Sequence, residues 1–448
     1  MDQPIVDDKI ARRARHSWYF YDFGNSAYAA VILLAVFSVY FSSVVADHVR
    51  GPSLWNLAVG IAAILVAVMS PILGTIADFS KAKKKFLFVF TCMAVIFTAL
   101  LFFVKKGDVA MGMTFFILAE IGYRASQVFY DALLVDVSTP QSIGSISGKG
   151  WALGMLGGIA CLILVLVPIT LVNKGVIPVP FGDGTFMPRL SFIITAIFFA
   201  VASLPTFLHV KQINEPEKLP AGETTIGYAF KKLASTFRDI KHYREFIKYA
   251  IAFLIYNDGI MMLMDNAAII AAILFGFKTE ELIILIIILQ IAGAGGAFLF
   301  GWISNKHSSK QAITYALIML VAVVVSLIFV KEKSFFYVIG ALAGFSLSGV
   351  QAVSRTMVSQ LSPQSKTTEF YGFLSVAGRT STFIGPWVFG SVYLGMTRLY
   401  QARGLTDAAA KSNGILFGVG AIILFLIIGG CFLFFVRRVT HKDPLKFD

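Results

Sequence analysis

Residues 74–83 read Gly-Thr-Ile-Ala-Asp-Phe-Ser-Lys-Ala-Lys, and residues 301–310 read Gly-Trp-Ile-Ser-Asn-Lys-His-Ser-Ser-Lys. In each, a glycine closes an apolar run, an aspartate or asparagine stands four residues later, and lysines follow. Gly74 and Gly301 are 227 residues apart in a chain of 448, so the two stretches mark one place in two halves. Arg124 and Arg355 repeat at 231, and Lys149 and Arg379 at 230. Matching Ser138-Thr-Pro-Gln141 to Ser362-Pro-Gln364 gives about 223 instead. The duplication is therefore firm, while the residue-by-residue pairing of the halves stays open.

The segments flanking these stretches are long and apolar. Hydrophobic residues make up 57% of the chain and charged residues 14%, and mean hydropathy is +0.78. Soluble domains carry about 25% charged residues to face water, so a soluble enzyme or a nucleic-acid reader is excluded as the primary reading. A bilayer core needs about 20 apolar residues per helix. That criterion predicts spans over 18–45, 54–77, 86–104, 109–137, 146–172 and 190–209. After a polar stretch come 247–275, 281–304, 311–330, 335–361, 369–395 and 412–436. The expected fold is all-α, twelve transmembrane helices in two six-helix bundles. The expected domains are 1–209, a linker over 210–246 and 247–448.

Charge placement supports the count. With the N-terminus inside, 23 Lys and Arg fall in the tails and inner loops against 11 outside, and four lie within spans. The positive-inside rule then places both ends in the cytoplasm of a cell (inner) membrane. The net charge of +13 becomes a topology signal rather than a nucleic-acid signal. The linker opens with Pro216 and Pro220. Ile226, Phe230, Leu233, Phe237 and Ile240 then alternate with Lys231, Lys232 and Arg238, a pattern expected to lie on the membrane surface. The long apolar stretch after Trp18 outruns a cleavable signal sequence. No G-x-x-x-x-G-K-[ST] stretch occurs, which disfavours an ATP-driven pump. Cys92, Cys161 and Cys431 sit in apolar runs without metal-ligand spacing, and the histidines fall in tails, loops and helix ends. No metal, cofactor or nucleophile–base constellation is expected, so an enzyme is not.

Ionisable side chains within spans are expensive and default to function. Span 4 carries Glu120, Arg124, Gln127 and Asp131 at steps of four, three and four, hence on one face. Glu120 and Arg124 can pair within the helix. Span 7 carries Asn257, Asp258, Asp265 and Asn266, with Asp258 and Asp265 two turns apart on one face beside Gly259. Carboxylates in apolar surroundings can take up a proton, whereas arginine stays charged. Glu120, Asp131, Asp258 and Asp265 are therefore the candidate coupling or ion-binding groups. Arg124 and Arg355 are candidate anchors for an anionic group. Span 10 adds Gln351 and Ser348 beside Arg355, and Arg379 lies too deep in span 11 for easy snorkelling. Lys149 is expected to snorkel. In span 1, Asp22 sits one turn inside, where a gating pair with Arg379 or Arg355 competes with a substrate role, and Asn25 and Tyr21 are the better-placed polar contacts. Gly154, Gly157, Gly158, Gly293, Gly295 and Gly296 are expected to permit close helix approach.

The 74–83 stretch resembles the loop 2–3 motif of the major facilitator superfamily, G-x-L-A-D-R-x-G-R-[KR]. It departs from that motif at Phe79, Lys81 and Ala82, and the second copy has Asn305 for the aspartate. The resemblance implies a gating role for Gly74, Asp78, Lys83 and Asn305. Tyr21-Asp-Phe-Gly-Asn-Ser-Ala-Tyr28 is similar to the Y-D-W-A-N-S-A-[FY] opening of the UMF1, or Atg22-like, branch. Phe129–Asp136, Gly148–Gly158, Tyr256–Gly259, Gln351–Arg355 and Glu369–Phe373 fit the same branch in order, as do Gly378-Arg379 and Gly385-Pro386. Departures are Asp131, where the branch usually has Asn, and the charge of Lys149. Fungal members imply export of amino acids from the vacuole, and bacterial members imply a transporter without naming its substrate.

The sequence thus predicts a monomeric secondary transporter in the lipid bilayer, with a midplane site between its halves. It would move a small polar solute, an amino acid or similar zwitterion, outward and with possible coupling to protons or Na⁺. Asn25, Arg124, Gln127, Asn257, Gln351, Arg355 and Arg379 are its candidate substrate contacts. Two rivals stay open: a cation-coupled carrier of sugars or peptidoglycan fragments, and a non-transporting membrane sensor or scaffold.

Overall fold

The computed structural model describes residues 8–46, 51–176, 178, 184–212, 223–224, 227–228, 230–231, 234–235, 243–277, 279–330 and 332–439. Most of the expected amphipathic linker segment, including Ile226, Lys232, Leu233, Phe237, Arg238 and Ile240, lies outside the described residues. The long helices are α1 (Asp8–Tyr28), α2 (Gly51–Phe79), α3 (Lys83–Leu100), α4 (Val109–Ala132), α5 (Ile143–Asn173) and α6 (Phe186–His209). They continue with α7 (Arg244–Phe275), α8 (Thr279–Lys306), α9 (Ser309–Phe329), α10 (Lys333–Leu361), α11 (Thr367–Ala402) and α12 (Asp407–Phe434). Ten membrane-capable helices, long and apolar enough to cross a bilayer, occur among the described residues. α4 and α11 are not among those ten; they are the helices of spans 4 and 11, which carry Glu120, Arg124, Asp131 and Arg379.

Two elements differ from their expected form. α1 begins at Asp8, ten residues before the predicted span, because the basic stretch continues the helix beyond the apolar run. Past Tyr28 the chain widens into π-helical turns over Ala29–Ala35 and Phe41–Val45, separated by Phe37–Tyr40 in ordinary α form. No proline or glycine marks these changes in the sequence. At α2, Pro71 lies inside the helix without ending it. The neighbouring hydroxyls bond back to the ladder, Ser70 Oγ to the Val66 carbonyl at 2.6 Å and Thr75 Oγ1 to that of Pro71 at 2.9 Å. Neither bond replaces the one that an amide at position 71 would give the Ala67 carbonyl, so the helix continues through Pro71 with one ladder bond fewer.

The chain divides into two compact units, each described by itself. One comprises 1–139, 153–235 and 364–372; the other comprises 140–152, 236–363 and 373–448. The first turns of α5 thus group with the second unit, and the first turns of α11 with the first. In the first unit α1 packs on α6, α3 on α4 and α6, and α2 on α4. In the second unit α7 packs on α12, α9 on α10 and α12, and α8 on α10. The two units therefore use the same scheme of helix partners. The duplication seen in the sequence is a duplication of packing.

Candidate functional site

The quoted glycine stretches are places where helices touch backbone to backbone. A Cβ on Gly74 would lie 2.8 Å from the Thr368 carbonyl oxygen, and one on Gly372 would lie 2.9 Å from Pro71 Cα. Only hydrogen fits at these crossings, which brings the start of α11 onto α2. There Asp78, 8% exposed, receives the first amides of α11. The Thr368 amide and hydroxyl donate to Oδ1 at 3.2 and 2.6 Å, and the Glu369 amide donates to Oδ2 at 2.9 Å. A helix start has unsatisfied N–H groups and the positive end of its dipole, so a carboxylate caps it well. Lys83 of α3 lies 3.5 Å from Asp78 and 3.8 Å from Asp136, with its side chain only 3% exposed. Lys81, in the turn between α2 and α3, takes φ +55°. It stands where the motif would have its second glycine, and the left-handed region explains why glycine suits that position.

The second copy is built alike but held more weakly. Cβ atoms on Gly301 and Gly144 would meet the Gly144 carbonyl oxygen at 2.7 Å and Ser304 Oγ at 2.7 Å respectively. The start of α5 therefore lies on α8. Asn305 Oδ1 accepts from the Ser145 amide at 3.1 Å, one bond to a neutral amide where Asp78 accepts three. Lys310, the counterpart of Lys83, donates to the carbonyls of Phe434 and Val436 at 2.6 and 2.8 Å. The register is now explicit. α2 repeats in α8 at 227, whereas Gly144, Ser145 and Gly148 repeat as Thr368, Glu369 and Gly372 at 224. Connecting segments of unequal length account for the different offsets.

A second polar cluster joins α1 to α4. Trp18, Tyr21, Asn25 and Tyr28 recur at three, four and three residues, one face of α1. Trp18 Nε1 donates to the Tyr130 carbonyl at 3.1 Å, and the Trp18 and Tyr21 rings stack on Tyr130 at 4.5 and 4.8 Å. Tyr28 stacks on Tyr123 at 4.4 Å. The helices run antiparallel, so Asn25 stands at a level between these two aromatic contacts. On α4 itself, Arg124 Nε donates to Glu120 Oε1, forming the ion pair read from the i,i+4 spacing. Glu120 is fully buried, and the Arg124 side chain is 14% exposed. Gln127 Nε2 donates to the Tyr123 hydroxyl at 3.1 Å.

In the second unit Gln351 Nε2 donates to Asn257 Oδ1 at 3.2 Å, linking α10 to α7. The Tyr256 hydroxyl bonds with Ser354 Oγ at 2.9 Å and with the Tyr249 hydroxyl at 3.2 Å. Asp258 is buried and Asp265 exposed, so the two acids of span 7 occupy unlike surroundings. Arg355, buried, donates to the Ser147 carbonyl at 3.1 Å, and its guanidinium lies 4.9 Å from the Trp151 ring centre. Ser147 Oγ donates in turn to the Ala352 carbonyl at 2.7 Å. Asp22 is buried, beside Gly154, Asp131 is half-buried and Lys149 exposed. The side chain of Arg379 lies outside the described residues.

The structure thus brings together Glu120 with Arg124, Asn257 with Gln351, and Gly74, Asp78 and Lys83 with the start of α11. Sequence reasoning gave no site role to Thr368, Glu369, Asp136, Tyr28 or Tyr123. Two signals pointed at them: Tyr28 extends the Asn25 face by one turn, and Thr367-Thr-Glu369 after Ser362-Pro363 reads as a helix start.

The family described as "Vacuole effluxer Atg22 like" matches residues 44–142 and 136–427. The MFS-type transporter YxiO of Bacillus subtilis (strain 168) is 28% identical over 419 residues, covering 93% of this chain and 95% of that protein. Autophagy-related protein 22 of Yarrowia lipolytica is 23% identical over 300 residues, 61% of this chain. The match spans 49% of that fungal protein, about half its length. Among solved structures, the human organic anion transporter MFSD10 aligns over 95% of this chain and 100% of its own, with a TM-score of 0.68 and 13% identity. The proton:xylose symporter XylE aligns over 98% of both chains with a TM-score of 0.66 and 13% identity. A major facilitator fold and a transporter's place in the membrane follow from these matches, and the chain belongs to the Atg22-like vacuole effluxer family of that superfamily.

Proposed function

We propose that this transporter exports a small zwitterionic solute, an amino acid or close analogue, by alternating access. The observation that carries the mechanism is the repeated helix-start contact. Asp78 holds the start of α11, and Asn305 holds the start of α5 in the matching register. Contacts of this kind, made by polar groups at glycine crossings, can form and break without unpacking a core, as a gate requires. Gly74, Asp78, Lys83 and Asn305 are the gating residues of this reading, and Asp22 joins them. The lysine-rich surroundings of both contacts support a cytoplasmic location for them and for both chain ends. The domains are the two six-helix halves, 1–209 and 247–448, joined by 210–246.

The efflux named in the family description supports the outward direction. Paired charges in α4 and the bonded amides of Asn257 in α7 and Gln351 in α10 support a solute with charged and polar groups over a sugar. The buried carboxylate of Asp258 is the proposed coupling group, for a proton in the first instance. Purified protein in liposomes tests the proposal. Labelled amino acids should enter wild-type vesicles saturably, with a dependence on an imposed pH gradient that Asp258→Asn removes. Entry of sugars or peptidoglycan fragments in place of amino acids, driven by Na⁺ and indifferent to pH, would instead establish the rival carrier.

A further inference from the structure

The Glu120–Arg124 pair is an unusual object inside a membrane helix. Glu120 is fully buried and spends Oε1 on the Nε of Arg124, while its Oε2 has no hydrogen-bond partner among the described residues. Arg124 makes no hydrogen bond with the described residues other than the one to Glu120, so the four N–H groups of its two Nη atoms are uncommitted there. One turn from Tyr28 on α1, the buried Asn25 also leaves its Oδ1 without a partner. Tyr28 stacks on Tyr123, and its buried hydroxyl likewise has no hydrogen-bond partner among the described residues. A buried polar atom without a partner is costly, and more so when charged. Three such atoms, Glu120 Oε2, Asn25 Oδ1 and the Tyr28 hydroxyl, lie on α1 and α4 beside the half-buried Arg124, and they are better explained as a site than as packing.

Their chemistry is specific. The Nη groups offer a planar fork of donors suited to a carboxylate. Glu120 Oε2 and Asn25 Oδ1 offer acceptors suited to an ammonium. Because Glu120 and Arg124 touch each other, the free donor fork and the free acceptor lie within one side chain's breadth. We propose that this α1–α4 face is a zwitterion site, binding α-amino acids whose ammonium and carboxylate sit on one carbon and rejecting solutes whose charges are far apart. It rests on the reading of the protein as an amino-acid carrier and assigns both charges of the substrate to the first unit. Arg355, whose guanidinium is engaged by Ser147 and Trp151, is thereby released from the role of anion anchor.

Binding to the purified full chain in nanodiscs tests this, with L-alanine, L-leucine, L-lysine and L-glutamate as zwitterions. Propionate, propylamine and 6-aminohexanoate are the single-charge and long-separation probes. The expected result is saturable binding of one or more of the α-amino acids, with 6-aminohexanoate and both single-charge probes weaker by at least about tenfold. Glu120→Gln and Arg124→Lys should each weaken amino-acid binding by about 10- to 100-fold, the range of one charge-assisted hydrogen bond. Asn25→Ala leaves the ion pair intact. It should weaken binding severalfold without lowering the melting temperature, which separates recognition from folding. If amino acids bind and are transported but all three variants bind them as wild type does, the site is wrong and the carrier reading stands. If 6-aminohexanoate binds as tightly as the α-amino acids, the site is likewise wrong. If no amino acid binds or moves, the carrier reading fails and this site falls with it.

Discussion

Replacing Asp78 by asparagine should loosen the start of α11 far more than replacing Asn305 loosens the start of α5. Asp78 accepts bonds from Thr368 N, Thr368 Oγ1 and Glu369 N, and it lies 3.5 Å from Lys83. Asparagine keeps one acceptor oxygen for Thr368 but turns an NH₂ group toward the Glu369 amide, donor against donor. One charge-assisted bond is lost, two become neutral, and Lys83 keeps only Asp136. At about 1.5–3 kcal/mol for a hydrogen bond to a charged group, the local loss is about 3 kcal/mol. With 1.4 kcal/mol per factor of ten, local opening becomes about 100-fold more frequent. Asn305→Ala removes one neutral bond, of about 1 kcal/mol, and should raise opening at residues 143–147 by only about fivefold. Hydrogen exchange read by mass spectrometry on peptides covering 364–373 and 143–150 measures both, with 186–209 as an internal control. Unchanged protection of 364–373 in Asp78→Asn, or equal effects of the two variants, would refute the capping argument.

Other substitutions test the packing around these contacts. Gly74→Ala and Gly372→Ala each drive a methyl into helix backbone and should cost about 1–3 kcal/mol; Gly390→Ala and Gly430→Ala, with open space around their Cβ positions, should leave the melting temperature in lipid unchanged or raised. Lys81→Gly relieves a left-handed φ at a side-chain-bearing residue, so thermal unfolding should shift upward by an amount equivalent to about 1 kcal/mol. Arg355→Lys keeps the charge but loses the planar contact with Trp151 and the fixed bond to Ser147. Its cost should be about 1–3 kcal/mol, seen as lowered melting and faster proteolysis between α4 and α5.

Much of this architecture can be read without coordinates, and the reasons for the exceptions are physical. Apolar length locates membrane helices well because the bilayer imposes it. Predicted spans over 190–209 and 311–330 correspond to helices Phe186–His209 and Ser309–Phe329, both among the ten membrane-capable helices. The π-turns after Tyr28 left no mark, since Ala, Val, Ile and Leu fit either helical form. Spacing placed Glu120, Arg124 and Gln127 on one face, and the pair within that face followed from i,i+4 geometry. Spacing could not say what stands opposite a face. That is why neither the contacts of Arg355 with Ser147 and Trp151 nor those of Asp78 with Thr368 and Glu369 were legible from spacing. The repeat itself was legible, but its register was not, because each helix pair carries its own offset.

Exchange across a membrane tests the central claim most directly. Liposomes containing the protein and loaded with a high concentration of one unlabelled amino acid are placed in a trace of the labelled compound. A carrier that alternates about a single site must show counterflow, a transient accumulation of label above its external concentration, and Glu120→Gln and Arg124→Lys should abolish it. Label entry without that overshoot, or an overshoot indifferent to both substitutions, would contradict the account.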